Sequence, residues 1–471
     1  MDNKVKELIS NSFLFTLANL GSKILVFLMV PFYTYILTPS EYGITGIVQT
    51  SAALMLPLMT GKIQDAVLRF CFVKDYTRSQ VFTIGLKVCL LGTILSFLIT
   101  ALFFNLPLFK EVGIYIIFVP LSVFSTSIVN LLSNFARGID DVKISAVSGV
   151  INTFIVVSLN LLFLLVFKLG ITGYLLSYFI ADIVSIVYLL LSGKLFNYIS
   201  FNTDISLTKT MLAFSLPLVP TSLSWWLLGS FNNYYILSVL GTAAVGLFTA
   251  AMRVPSILTV LSDIFSQAWL LSALKNYGSD ENKQFIRTVH RKFFSMLCFM
   301  TGGITLLTYP LSRFLLSGDF INSWNIIPLL FVSVFWGALV GFYGVVFSAE
   351  NKTKIHLVST VLGAIVSVII VVLLLNKIGL IAVSIAIMVG YYIVWLIRKF
   401  ALRDFIDIGM STFQCSIHGI MLTAIAVLVS FQLYLMASLI FLIQVFINRI
   451  ELYNIFQFIY KESGAYIKRK I

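Results

Sequence analysis

Charge is what this chain has least of. Only 11% of its residues are Asp, Glu, Lys or Arg, against 59% hydrophobic, and its mean hydropathy is +1.01. A soluble globular domain carries about 25% charged residues, so that class is excluded. Histidine and cysteine are almost as scarce. His290, His356 and His418 are dispersed, as are Cys71, Cys89, Cys298 and Cys415, with no CxxC among them. That excludes a disulfide framework and gives no metal-ligand grouping. A Walker-type phosphate loop is missing, and so is any Ser/His/Asp set. Neither a cofactor nor enzyme chemistry is expected. The first apolar run is too long for a cleavable signal and lacks a small-residue cleavage site, so it is expected to stay as the first helix.

In place of charge there are long apolar runs. A span needs about 20 mainly apolar residues to cross about 30 Å of hydrocarbon. Fourteen such segments can be marked, at about 12–37, 42–71, 81–104, 112–136, 144–167, 171–192, 210–238, 242–270, 292–316, 323–348, 355–375, 379–397, 409–429 and 432–448. The last two meet around Ser430 to Leu433 with almost no polar punctuation. The fold class expected is an all-α polytopic membrane protein with about 14 transmembrane helices. Basic residues test the count. Every second gap is rich in them, for example Lys74 and Arg78, Arg137 and Lys143, Lys194 and Lys209, Arg287 and Arg291, Arg398 and Lys399. The alternate gaps hold only Lys110, Lys168 and Lys377. Short loops rich in Lys and Arg stay cytoplasmic, which places both termini inside. The net charge of +13 then belongs to a membrane face bearing anionic headgroups and needs no nucleic acid to explain it.

The two halves echo each other. Tyr35-Ile36-Leu37-Thr38 and Tyr235-Ile236-Leu237-Ser238 each precede a Gly-Ile or Gly-Leu pair, Gly43-Ile44 and Gly246-Leu247. Lys168-Leu169-Gly170-Ile171 has a counterpart in Lys377-Ile378-Gly379-Leu380, and Lys143-Ile144 one in Lys354-Ile355. Their order is kept at separations of 200 to 211 residues. Six spans per half is an even number, so both halves enter the membrane the same way, as in parallel transporter repeats. The expected organisation is an N-lobe over 1–200, a C-lobe over 201–403 and a C-terminal pair with a basic tail over 404–471. A central cavity would lie between the two pseudo-symmetric lobes.

The stretch from Asn19-Leu20-Gly21-Ser22-Lys23 to Pro39-Ser40-Glu41-Tyr42-Gly43 resembles the polysaccharide transporter family. Ala66-Val67-Leu68-Arg69-Phe70, Gly246-Leu247-Phe248 through Arg253-Val254-Pro255, and Ser348-Ala349-Glu350-Asn351-Lys352 fit the same pattern. These are flippases for lipid-linked O-antigen and capsule oligosaccharides, in the superfamily that holds multidrug and toxin extrusion (MATE) exporters and lipid II flippases. The resemblance spans essentially the whole chain. It implies a bacterial cytoplasmic-membrane protein that moves an undecaprenyl-pyrophosphate-linked sugar unit to the outer leaflet. Membrane lipids are expected partners beside the lipid-linked oligosaccharide, with H+ or Na+ and polysaccharide polymerase machinery as further candidates.

An ionisable group at mid-membrane costs at least about 2.5–3.5 kcal/mol, so it normally faces protein or a wet cavity. Lys23 lies about 16 Å into the first span at 1.5 Å per residue, and Arg253 is similarly deep, just before Pro255. They are the expected anion site, with Arg253 able to grip a phosphate bidentately. Lys62, Asp65 and Arg69 share one face at i, i+3 and i+7, and with Lys87 they read either as a cationic entry for pyrophosphate or as a salt bridge with snorkelling side chains. Asp182 and Asp263 either balance a basic neighbour or carry a coupling ion. Asn233 and Tyr234 are candidates for sugar contact, although packing explains most aromatics. An alternating-access flippase is the leading expectation. A cation-exporting relative would want carboxylates where the first span offers Lys23, and a membrane polymerase or ligase would need a large outer loop that no gap provides.

Overall fold

The computed structural model describes residues 21, 24–104, 106, 109–200, 204–275, 280–349, 353–403, 408–455 and 457. Among them there is no β-strand. The chain divides into two compact units, Met1–Arg253 with Leu315–Phe320, and Val254–Phe314 with Ile321–Ile471.

The first unit runs through α1 (Val30–Ile36), α2 (Pro39–Thr60), α3 (Ile63–Phe70), α4 (Arg78–Phe103) and α5 (Phe118–Gly138). It continues through α6 (Val142–Leu161), α7 (Gly170–Ser192), α8 (Ile205–Ser215), α9 (Val219–Gly229) and α10 (Phe231–Arg253). Local sequence sets the starts. Thr38 and Glu41 form a capping box around α2, with Pro39 in the first turn, and Thr77 with Gln80 does the same for α4. Asp141 caps α6 by accepting from the Ile144 amide.

Two backbone breaks shape this unit. The expected 42–71 helix is not continuous, because Gly61 (φ 55) and Lys62 (φ 57) take left-handed backbone and separate α2 from α3. Behind the break, Ile63, Val67 and Phe70 pack with Phe82, Ile84, Leu131 and Phe135 in a buried core. In lipid such burial has little hydrophobic drive, so close packing and interhelical hydrogen bonds hold it. Gly241 (φ 78, ψ 179) interrupts α10, and the carboxylate of Glu111 accepts from the Thr242 amide at 3.0 Å where helix resumes. The 49 residues of Ile205–Arg253 would span about 73 Å as one helix, more than twice the hydrocarbon thickness. The non-helical backbone at Gly241 divides the last part of the segment into two helical stretches.

The second unit holds α11 (Ser256–Lys275), α12 (Asp280–Leu306), most of α13 (Thr308–Leu315), α14 (Ile327–Ala349) and α15 (Thr353–Ile378). It ends with α16 (Ile381–Leu402), α17 (Thr412–Ser430), α18 (Tyr434–Ile447) and a short helix over Arg449–Ile455. Its core is α14, whose Phe331, Phe335, Leu339, Tyr343 and Phe347 are fully buried against α11, α16 and α17.

Among the described residues, ten helices are long and apolar enough to cross a membrane, or twelve if each of two pairs bent by 66° and 72° is one span. The expected fourteen is not confirmed. Ile205–Arg253 counts once despite its break, and the first expected span begins outside the described residues, leaving only the short Ile24–Ile36. Large apolar side chains point outward in rows, such as Leu91, Ile94, Leu98 and Leu102 on α4, and Leu435, Leu439, Leu442 and Phe446 on α18. Contiguous exposed apolar surface on this scale needs lipid around it. This is a multi-pass membrane protein.

Candidate functional site

Within the first unit, one face of α2 carries two polar sites in series. At its Thr60 end opens a pocket of about 400 Å3. Ala53, Leu56, Pro57 and Thr60 form the α2 wall, Lys62, Gln64 and Asp65 the floor at the helix break, and Asn130, Asn134 and Arg137 the facing wall. Ser222 of α9 closes one side. The three α5 residues recur at i, i+4 and i+7, which aligns them on a single helical face. Lys62 reaches the pocket because of its left-handed backbone, a conformation uncommon for a non-glycine residue and enriched at functional sites.

The pocket is internally ordered. Lys62 Nζ stands 3.0 Å from Asp65 Oδ2, both side chains about one-third exposed at 33% and 39%. Asn134 donates to the Gln64 carbonyl oxygen at 2.9 Å, and Arg137 donates to the Asn134 amide oxygen and to the Ser133 carbonyl oxygen. Two cations against one carboxylate leave the lining net positive. Amides and hydroxyls fill the gaps between them. Such a set can hold a phosphate by charge-assisted hydrogen bonds and the hydroxyls of an attached sugar by neutral ones.

Further along the same face of α2, one turn beyond Ala53, Gln49 begins the second site. Its side-chain oxygen accepts from Arg253 at 3.4 Å, and its amide donates to the Tyr174 hydroxyl at 3.2 Å. Tyr174 in turn donates to Tyr178 at 3.4 Å. Arg253 ends α10 and lies within electrostatic reach of the Tyr42, Tyr174 and Tyr178 hydroxyls. The rings interlock, with Tyr33 edge-on to Tyr174 at 5.0 Å and Tyr42 edge-on to both Tyr174 and Phe320. The guanidinium is thus framed by tyrosines and one amide from two helices. From Gln49 to Thr60 the distance along α2 is about 16 Å, so both sites share one wall.

Other expected residues fall elsewhere. Lys23 lies outside the described residues. Asp65 pairs with Lys62 instead of Arg69, whose guanidinium lies over the Phe214 ring at 4.2 Å and is not part of the pocket. Lys87 is exposed on α4, away from the pocket lining. Asp263 is half-buried in the second unit. Asn233 donates to Thr50 Oγ1 at 2.8 Å and Tyr234 shares a 2.7 Å hydrogen bond with Ser51, so both tie α10 to α2. Asp182, midway along α7, accepts from Ser125 (2.7 Å), Thr126 (3.2 Å) and Asn152 (2.9 Å). Its partners among the described residues include no cation.

Sequence reasoning missed Arg137, Asn130, Asn134 and Gln49. Arg137 reads as one more topological loop charge, yet it closes a polar stripe with Asn130 and Asn134 that the spacing alone could have flagged. Gln49 gives no such signal, since a lone amide in a span looks like any packing polar residue. Among the described residues no group of three or more His, Cys, Asp or Glu stands close enough to hold a metal ion.

Comparison with solved structures places the fold. A multidrug resistance MATE family transporter of the MOP superfamily, in an inward-facing conformation, superimposes with a TM-score of 0.65 at 17% identity. The match covers 83% of this chain and 95% of that one. The lipid II flippase MurJ, in an inward closed conformation, gives a TM-score of 0.69 at 15% identity over 96% of this chain and 100% of that one. A MOP superfamily transporter from Pyrococcus furiosus gives 0.58 at 17% identity, over 86% and 96%. At these identities the likeness is one of fold. No curated protein sequence matches significantly. The family described as polysaccharide biosynthesis protein matches residues 8–271, more than half of the sequence. With a transporter fold around it and the family's signature covering the helices that build both polar sites, the chain belongs to the polysaccharide biosynthesis protein family.

Proposed function

We propose that this protein is a flippase that carries a polyprenyl-pyrophosphate-linked oligosaccharide from the inner to the outer leaflet of a bacterial cytoplasmic membrane. The observation that supports this reading best is the shared wall of α2, which joins a net-positive pocket at Lys62 and Arg137 to a third cation, Arg253, about 16 Å along the helix. A pyrophosphate needs cations, its sugars need amides and hydroxyls, and its polyprenyl tail needs lipid beside the helices. The basic-loop pattern puts both termini, and with them the Thr60 end of α2, at the cytoplasmic side. The headgroup then enters at Lys62 and Arg137 and is handed along α2 toward Arg253. Repeat-related lobes over 1–200 and 201–403, with a C-terminal pair beyond, rock about each other to alternate access. The reaction is movement alone, and no covalent step is assigned.

A cation exporter of the same fold is the rival reading, since ring faces around Arg253 could also receive an organic cation. The fixed guanidinium among those rings disfavours it. Depletion of the protein in its native cells tests the proposal. Lipid-linked oligosaccharide should accumulate in a pool inaccessible to an impermeant sugar-oxidising reagent, and re-expression should clear it. Accumulation on the outer surface, or none at all, would refute the assignment.

A further inference from the structure

Asp182 is the thirteenth residue of the 23-residue α7, so about 15–18 Å of helix separates it from either end. A carboxylate at that depth is costly, and the usual remedy is a basic neighbour. Here its partners among the described residues are all neutral. Ser125 and Thr126 of α5 bond one oxygen, at 2.7 and 3.2 Å. Asn152 of α6 bonds the other at 2.9 Å and also donates to Ser185 Oγ, one turn further along α7, at 3.2 Å. Titratable groups on the packed elements are Glu41 and Tyr42 on α2, Arg137 on α5, Lys143 on α6, Tyr174, Tyr178 and Tyr188 on α7 itself, and Tyr198 in the short helical turn Leu195–Tyr198 that follows it. Arg137 is engaged with Asn134 and Ser133, Lys143 is exposed, and Tyr174 and Tyr178 bond each other. None of them is a partner of Asp182.

As structural glue this choice is poor. An asparagine would join α5, α6 and α7 without the cost of a charge. What distinguishes the shell is that every member can reverse its role. Three hydroxyls rotate, the Asn152 amide can turn over, and each presents an oxygen lone pair. The same shell therefore accommodates a bare carboxylate, a protonated acid donating to Asn152, or a carboxylate beside a small cation with up to five oxygen donors. Asp182, Asn152 and Thr126 are half-buried, while Ser125 and Ser185 are buried, so the site keeps an opening.

We propose that Asp182, with Ser125, Thr126, Asn152 and Ser185, forms a binding site for one small monovalent cation, a proton or Na+. Binding itself is independent of the flippase reading; its use to drive transport rests on that reading. Tyr174, Tyr178 and Asp182 recur at four-residue intervals on α7, so the helix that frames Arg253 also bears this site. Occupancy can bias the anion site through a single rigid helix.

The test uses the full-length protein in detergent at constant ionic strength, with no lipid-linked substrate. Thermal stability is measured across NaCl against choline chloride, and across pH, for wild type, Asp182→Asn and Asn152→Ala. A Na+ site predicts a saturable rise in Tm with Na+, lost in Asp182→Asn and shifted to roughly tenfold higher Na+ in Asn152→Ala. A proton site predicts indifference to Na+, a Tm that rises as pH falls, and an Asp182→Asn protein whose Tm no longer follows pH. Wild type indifferent to both, or a response kept in Asp182→Asn, overturns the proposal. If Asp182→Asn fails to fold, direct 22Na+ binding and the pH-dependent carboxylic-acid infrared band of wild type, each compared with Asn152→Ala, decide it.

Discussion

Gly43 and Gly246 face each other reciprocally. A Cβ on Gly43 would strike the Thr242 carbonyl oxygen, and one on Gly246 would strike the Pro39 carbonyl oxygen. Each would also lie 2.9 Å from the other glycine's amide nitrogen. Pro39 and Thr242 are 203 residues apart, and so are Gly43 and Gly246. A contact in which each member repeats the other's role is that of a two-fold relation. The weak repeat in the sequence is thus matched by a local symmetry, with α2 and the second part of α10 crossing backbone to backbone and a 2.8 Å bond between Ser40 and Thr242 beside it.

Neither glycine tolerates a side chain here. Gly43→Ala and Gly246→Ala should each destabilise by about 1–3 kcal/mol, because backbone has to move to admit the methyl group. The check is thermal unfolding in detergent. An unchanged Tm for both would mean that the helices do not meet this closely.

Lys62 and Arg69 should separate cleanly. The Lys62–Asp65 pair is partly exposed and contributes no more than about 1 kcal/mol, so Lys62→Ala should fold normally yet bind pyrophosphate-bearing lipid more weakly. Arg69→Ala should do the reverse, losing about 0.5–1 kcal/mol of cation–π stability from Phe214 while binding is kept. Paired Tm and binding measurements read both; swapped outcomes would remove Lys62 from the site.

At the second site, Arg253→Ala should slow transport at least about tenfold, the worth of one lost charge-assisted hydrogen bond. Arg253→Lys should restore only part of the rate, since an ammonium lacks the planar fork. Full activity in either variant would assign Arg253 to packing.

Arg398 is the largest surprise in the second unit. Its side chain is 1% exposed, and it donates to the Val340 carbonyl oxygen at 2.8 Å, Ser359 at 3.1 Å and Thr360 at 3.3 Å. It joins α14, α15 and α16. Arg398→Ala should cost about 3 kcal/mol or more through lost packing and unmet hydrogen bonds. An unfolding curve matching wild type would contradict that.

The sequence discloses helices and their order because a span leaves a signal of about 20 apolar residues. It fails where the signal depends on backbone shape. Nothing in composition separates Lys62 as a left-handed residue from Lys62 as one more helical position, and the break at Gly61 is what carries it into the pocket. Loop charge is equally ambiguous. Arg137, Arg398 and Lys399 all read as topology, yet Arg137 lines the pocket, and Arg398 and Lys399 are buried. Arg253 is legible because a deep cation before a proline has few structural excuses, whereas its tyrosine frame comes from separate segments that only folding assembles.

Transbilayer movement of a fluorescent undecaprenyl-pyrophosphate-linked oligosaccharide in proteoliposomes is the most direct test of the flippase assignment. Movement is expected with wild-type protein, and its loss in folded Arg253→Ala. An absence of movement for several sugar units, alongside ion-driven efflux of organic cations by the same preparation, would contradict the assignment.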